Sequence, residues 1–152
     1  MSVIEIRLAE LGVTLPDAPA PAANYVPYVQ TGNLLFVSGQ ISSGPDGLIK
    51  GRLGADMDVT QGAAAARACG LALLAQANAA LGSLDRVARV VKLTGFVAST
   101  PDFTDQPEVV NGCSDLMVEV FGDKGRHARA AVSAAALPRG VAVEIEAIFE
   151  IA

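Results

Sequence analysis

The chain has 152 residues, 51% of them hydrophobic, 18% charged and 5% aromatic, with a net charge of −5. That length fits one domain whose folding removes roughly 70% of the unfolded surface from water. The acidic balance, with 11 scattered basic residues, argues against nucleic acid as the main partner, and 1 histidine with 2 cysteines leaves too few ligands for a zinc site.

From the N-terminus, Ser2 followed by Glu5 forms a capping-box pattern ahead of Ile4, Leu8 and Leu11, so a helix is predicted over Ser2–Leu11, with Gly12 as its stop. Leu15 to Pro21 is too rich in proline for a helix or a central strand and reads as an extended connector. Residues 1–24 are therefore an N-terminal helix and connector, and 25–152 the domain proper. Tyr25–Gln30, a Thr31-Gly32-Asn33 turn and Leu34–Ser38 predict a first hairpin, the second strand ending at Gly39-Gln40. Ser43–Gly47 is a turn by composition, Leu48–Gly51 a short strand and Arg52–Asp58 a loop. Asp58 or Thr60 caps a long alanine-rich helix ending at Leu81 before Gly82. Arg86–Ala98 is a strong strand. Pro107 opens a second long helix that runs through Phe121 to Gly122.

The last 25 or so residues read as strand, turn, strand. Ala128–Ala135 is small and apolar, Leu137-Pro138-Arg139-Gly140 is a turn, and over a strand predicted from Val141 to Glu150, Val141, Val143, Ile145, Ala147 and Phe149 alternate with Ala142, Glu144, Glu146, Ile148 and Glu150. A hairpin of this kind brings Arg129 near Glu144. The guanidinium is a permanently charged fork that grips a carboxylate in two places, and a neighbouring carboxylate can orient water or accept a proton. The same spacing is also satisfied by a structural cross-strand ion pair. The order β-β-(β)-α-β-α-β-β predicts an α+β fold, a mixed sheet with two helices packed on one face. No apolar run of about 18 residues is present, so no membrane span is expected. Glu5 and Arg7 fall where a secretory leader needs an apolar block, and Cys69 and Cys113 lie in separate predicted helices, which together predict reduced thiols in the cytoplasm. The low charged fraction predicts apolar surface buried between subunits.

Arg129, Leu137-Pro138 and Val143-Glu144-Ile145-Glu146-Ala147, with Pro27-Tyr28-Val29-Gln30 and Ser38-Gly39-Gln40-Ile41 at the other end, resemble the signatures of the YjgF/RidA (reactive intermediate deaminase) family. Gly122–Glu146 is similar to a longer branch of that family, which carries G-R-H-A-R (Gly125–Arg129 here). The resemblance implies a chorismate-mutase-like fold, a homotrimer with clefts between neighbouring subunits, and no metal or cofactor. It implies hydrolysis of 2-enamino and 2-imino acids to 2-keto acids and ammonia. On that reading Arg129 clamps the substrate carboxylate and Glu144 handles the water, with a backbone carbonyl near Ala131 sharing it. Tyr28 lines the cleft from the adjoining subunit, and Asn111 and Ser38 support it. His127, the single imidazole, stands beside Arg129 either as a strand-end packing group or as a ligand contact. Many relatives carry cysteine where this chain has Ala131. A non-catalytic binder of small carboxylates is the alternative reading. An endoribonuclease is the weakest, since a metal-free nuclease needs a paired acid and base with cationic phosphate contacts.

Overall fold

A computed structural model describes residues 2–21 and 23–152. Helix α1 spans Val3–Glu10. Ser2 Oγ accepts the Glu5 N–H at 3.1 Å, and the Glu5 carboxylate accepts the Ser2 N–H at 3.0 Å, the reciprocal cap that S-x-x-E encodes. The next orphan N–H groups, of Val3 and Ile4, donate to the Asp85 carboxylate at 3.1 and 2.9 Å. Those bonds, Ile4's foremost, hold Asp85 below the usual carboxylate range and tie α1 to the domain.

Strands β1 (Tyr28–Thr31) and β2 (Leu34–Ile41) form the first hairpin, and β3 (Ser43–Gly44) with β4 (Gly47–Leu48) a second, two-stranded one. Helix α2 spans Val59–Leu81 between the Asp58 cap, which accepts the Gln61 N–H at 2.8 Å, and Gly82 in the left-handed region at φ 78°. Helix α2 is long and apolar enough to cross a membrane, but its apolar surface is spent on the sheet and on the second long helix. Strand β5 (Val87–Ala98), helix α3 (Gln106–Phe121), strand β6 (Ala128–Ala134) and strand β7 (Val143–Ile151) complete the chain.

The main sheet has the order β1-β2-β7-β5-β6, with α2 and α3 on one face. Val143, Ile145, Ala147, Phe149 and Ile151 of β7 are buried towards the helices. Among the described residues no helix packs on the opposite face, and there Val29, Phe36 and Val132 are exposed. The helices cross closely because residue 112 is glycine: a Cβ there would run into the Ala63 carbonyl of α2.

Two sequence expectations need correcting. First, β6 and β7 are not hairpin partners. Strand β5 lies between them, parallel to β6 and antiparallel to β7. Burial explains the order. Strand β7 buries five side chains on its helix-facing side and takes the centre, whereas no residue of β6 is fully buried, which suits an edge. The Leu-Pro-Arg-Gly segment turns as predicted but carries the chain across the end of β5 to the far side. Second, β2 does not end at Gly39-Gln40. It continues to Ile41 through an irregularity between Val37 and Gln40 in its pairing with β7.

Candidate functional site

The sheet register separates the predicted residues into two groups. Arg129 pairs in register with Leu93, which pairs with Ala147, so its side chain projects on the helix-covered face. Glu144 pairs with Phe96 and Ile41 and projects on the open face with Glu146. Strands β6 and β7 are two spacings apart, roughly 10 Å. Within one chain, therefore, Arg129 and Glu144 do not meet.

The first group sits where β6 meets α3. Arg129 Nη1 donates to Asn111 Oδ1 at 2.7 Å and to Ser114 Oγ at 3.2 Å. Residues 111 and 114 are three apart on α3 and so share a face. His127 Nδ1 lies 2.6 Å from the Gly125 carbonyl, and its Nε2 2.9 Å from Ser114 Oγ. A carbonyl only accepts, so Nδ1 carries the proton and Nε2 accepts from the Ser114 hydroxyl. Burial foremost, with the Arg129 charge, pushes the His127 pKa down and favours the neutral ring, partly offset by the hydrogen bond to the Gly125 carbonyl, which raises it. Ala131 follows Arg129 on the same face, half-buried against the core. Cys113 lies next in α3, fully buried with its thiol pushed up to about 12, and burial raises Cys69 well above the usual thiol range, so neither is a poised nucleophile.

The second group surrounds Glu144. A cleft of about 450 Å³ is lined by Glu144, Gly39, Tyr25, Arg139, Gln76 and residues of the Pro19–Pro21 connector, among others. The Glu144 carboxylate packs directly over Gly39, where a Cβ would lie 2.5 Å from Oε2. Partial burial, then the neighbouring Glu146, raise the Glu144 pKa. Glu144 is half-buried and Glu146 exposed, which distinguishes the two carboxylates as their register suggested. Ser38 faces the connector, its hydroxyl donating to the Val26 carbonyl at 2.8 Å. Gln76 ties the connector to α2 by donating to the Pro19 carbonyl at 2.6 Å. Arg139 is the one non-glycine among the described residues with positive φ, at 60°. Tyr28 lies on β1, half-buried against the core. Strands β1 and β6 are opposite edges of the sheet, four spacings or roughly 19 Å apart.

Ser114, Gln76, Tyr25 and Arg139 were not singled out by sequence. Only Ser114 carried a usable signal, its three-residue spacing from Asn111. Neither Arg129 nor Glu144 forms an ion pair among the described residues, and no cluster of metal-ligating side chains occurs among them.

These features define an α+β domain with a helix-covered sheet, a cationic group at one sheet edge and a half-buried carboxylate beside a glycine bulge. The family model described as Endoribonuclease L-PSP matches residues 15–151, and the chain belongs to this family, which includes the YjgF, RidA and RutC proteins. It is 54% identical over 150 residues to Protein TCP17 of Trypanosoma cruzi, covering 97% of this chain and 94% of that one. The crystal structure of Atu1372 from Agrobacterium tumefaciens matches with a TM-score of 0.91 and 51% identity, covering 99% of this chain and 93% of that one. E. coli TdcF with bound serine matches with a TM-score of 0.63 and 28% identity, covering 89% and 94%.

Proposed function

We propose that the chain assembles as a closed homotrimer and hydrolyses small reactive 2-imino or 2-enamino acids to 2-keto acids and ammonia at clefts between protomers. One observation carries this reading: the two charges the chemistry needs are both present without an ion-pair partner among the described residues, on opposite faces of one sheet. A half-buried charge without a partner is costly, and a ligand or a neighbouring subunit offsets that cost. A head-to-tail contact between different surfaces of identical subunits forms a ring when its rotation closes, and in the proposed trimer such a contact sets the Arg129 group of one protomer against the Glu144 group of the next. The uncovered sheet face, with Val29, Phe36 and Val132 exposed, supplies apolar surface for that contact.

In the assembled cleft, the free edge of the Arg129 guanidinium holds the substrate carboxylate. An imine carbon is already electrophilic, so water needs only orientation and proton removal. Glu144 supplies both, its raised pKa making it a better proton acceptor than an ordinary surface carboxylate. Tyr28, Ser38, Asn111 and the backbone at Ala131 complete the walls. The serine held by TdcF supports a small carboxylate as ligand. Against the nuclease reading stand the net charge of −5 and a lone histidine already engaged on both ring nitrogens. The test is keto-acid release from 2-aminoacrylate and other imines generated in situ. Acceleration above the buffer rate supports the reading. No acceleration, with pyruvate still bound, makes the protein a binder of keto acids.

A further inference from the structure

The segment Gly125-Arg126-His127-Ala128-Arg129 contains a histidine that the proposed reaction does not use. Its ring reaches the Arg129 guanidinium through one intermediate atom. Ser114 Oγ donates to His127 Nε2 across 2.9 Å and accepts from Arg129 Nη1 across 3.2 Å, while the Gly125 carbonyl holds Nδ1–H at 2.6 Å. A serine hydroxyl has one proton and two lone pairs. With its proton committed to His127, its lone pairs are left facing the cation. Asn111 Oδ1 holds the same Nη1 from the other side at 2.7 Å.

We infer that His127, acting through Ser114, is a positioning residue for Arg129, so that the guanidinium meets an incoming carboxylate in one fixed orientation. The inference rests on Arg129 being the carboxylate anchor. It assigns G-R-H-A-R a physical purpose: the turn at Gly125 presents its carbonyl to Nδ1, and the two-residue step from 127, just ahead of β6, to 129 within it lets both side chains reach Ser114. The chain of bonds sets the tautomer and ring orientation at one end and the guanidinium at the other. Such supporting bonds are what keep a ligand-binding fork from sampling several rotamers.

The chain has 1 histidine, so its ¹⁵N resonances are unambiguous and report on this network alone. At neutral pH the wild-type protein is expected to show the Nδ1–H tautomer. Pyruvate, used as the carboxylate probe, is expected to shift Nε2. His127→Leu, which fills the space but accepts no hydrogen bond, is expected to weaken pyruvate binding by up to about tenfold, the upper scale of one lost neutral hydrogen bond. His127→Gln, whose amide oxygen can still accept from Ser114, is expected to recover most of that loss. A purely structural histidine would lower the melting temperature in both variants and leave the dissociation constant alone. The proposal is overturned by an Nε2–H tautomer in the wild type, or by folded His127→Leu binding pyruvate within twofold of wild type. Should His127→Leu not fold, Ser114→Ala and the pyruvate-induced Nε2 shift decide in its place, normal binding or no shift overturning it. Arg129→Ala, measured alongside, keeps the two claims apart. If Arg129→Ala binds normally, the anchor assignment is wrong. If it loses binding while His127→Leu does not, only the positioning role is wrong.

Discussion

Gly39→Ala isolates the position of the Glu144 carboxylate from its chemistry. A Cβ at Gly39 would lie 2.5 Å from Glu144 Oε2 and 3.0 Å from Cδ. Ordinary contact begins at 3.4 Å, so the carboxylate must retreat by about 0.9 Å (3.4 − 2.5). The obstructing atoms are the end of a flexible side chain, and Gly39 is not among the positive-φ glycines, so the backbone tolerates alanine. The unfolded chain also loses entropy, worth roughly 0.4–1 kcal/mol in favour of the variant, against a similar cost for the displaced rotamer. Stability should therefore change by less than about 1 kcal/mol. Activity should not be spared: a displacement near 1 Å in a group that orients water can cost on the order of 10²-fold. Steady-state kinetics on an imine generated in situ, paired with thermal unfolding, reads both quantities. A variant with normal kcat and an unchanged melting temperature would refute the placement of Glu144 as the water-handling group.

Three further outcomes follow from the geometry. Glu144→Gln should abolish most imine hydrolysis, by roughly 10²–10⁴-fold, while pyruvate binding persists, which single-turnover kinetics with calorimetry can separate. The same substitution should slightly stabilise the fold at neutral pH. A raised carboxylate pKa means the native state binds more protons than the unfolded one, so stability falls as pH rises from the unfolded value through the raised folded value, and glutamine removes that penalty. Because Glu144 is half-exposed the gain is at most about 1 kcal/mol, and it should vanish in acid below the unfolded value, as melting curves against pH will show. Gly112→Ala should cost 1–3 kcal/mol or more, since its Cβ meets backbone rather than a yielding side chain at the α2–α3 crossing; a melting temperature within a degree of wild type would contradict that packing.

The helices were legible because their ends are written in single residues. Ser2 with Glu5, Asp58, Gly82 and Gly122 each stand at a helix boundary where capping chemistry demands them. Strand β7 was legible from its period, including which carboxylates share a face. What periodicity does not contain is the identity of a strand's neighbour. A turn such as Pro138–Gly140 reverses the chain equally well into an adjacent strand or over one already in place, and here the apolar β5 occupies the intervening position. The proximity of Arg129 and Glu144 was inferred from that missing adjacency, and the two residues are instead apart within the chain. The continuation of β2 past Gly39 was hidden for a related reason: a bulge breaks the alternation that marks a strand, and its purpose, making room for Glu144, is a contact 105 residues away in sequence. Ser114 was missed because a serine in a helix is unremarkable until the residues at β6 are packed against it.

The claim that Arg129 and Glu144 act together only across a subunit boundary is tested most directly by mixing two inactive proteins. Arg129→Ala lacks the anchor and Glu144→Gln lacks the proton acceptor. When they are co-refolded in equal amounts, a cleft that draws Arg129 from one protomer and Glu144 from the next is intact with probability one half for each residue. Randomly mixed rings should thus recover about one quarter of wild-type imine hydrolysis. If both residues served a cleft within one chain, no mixed assembly would contain an intact site, and activity no higher than that of the separate variants would contradict the account.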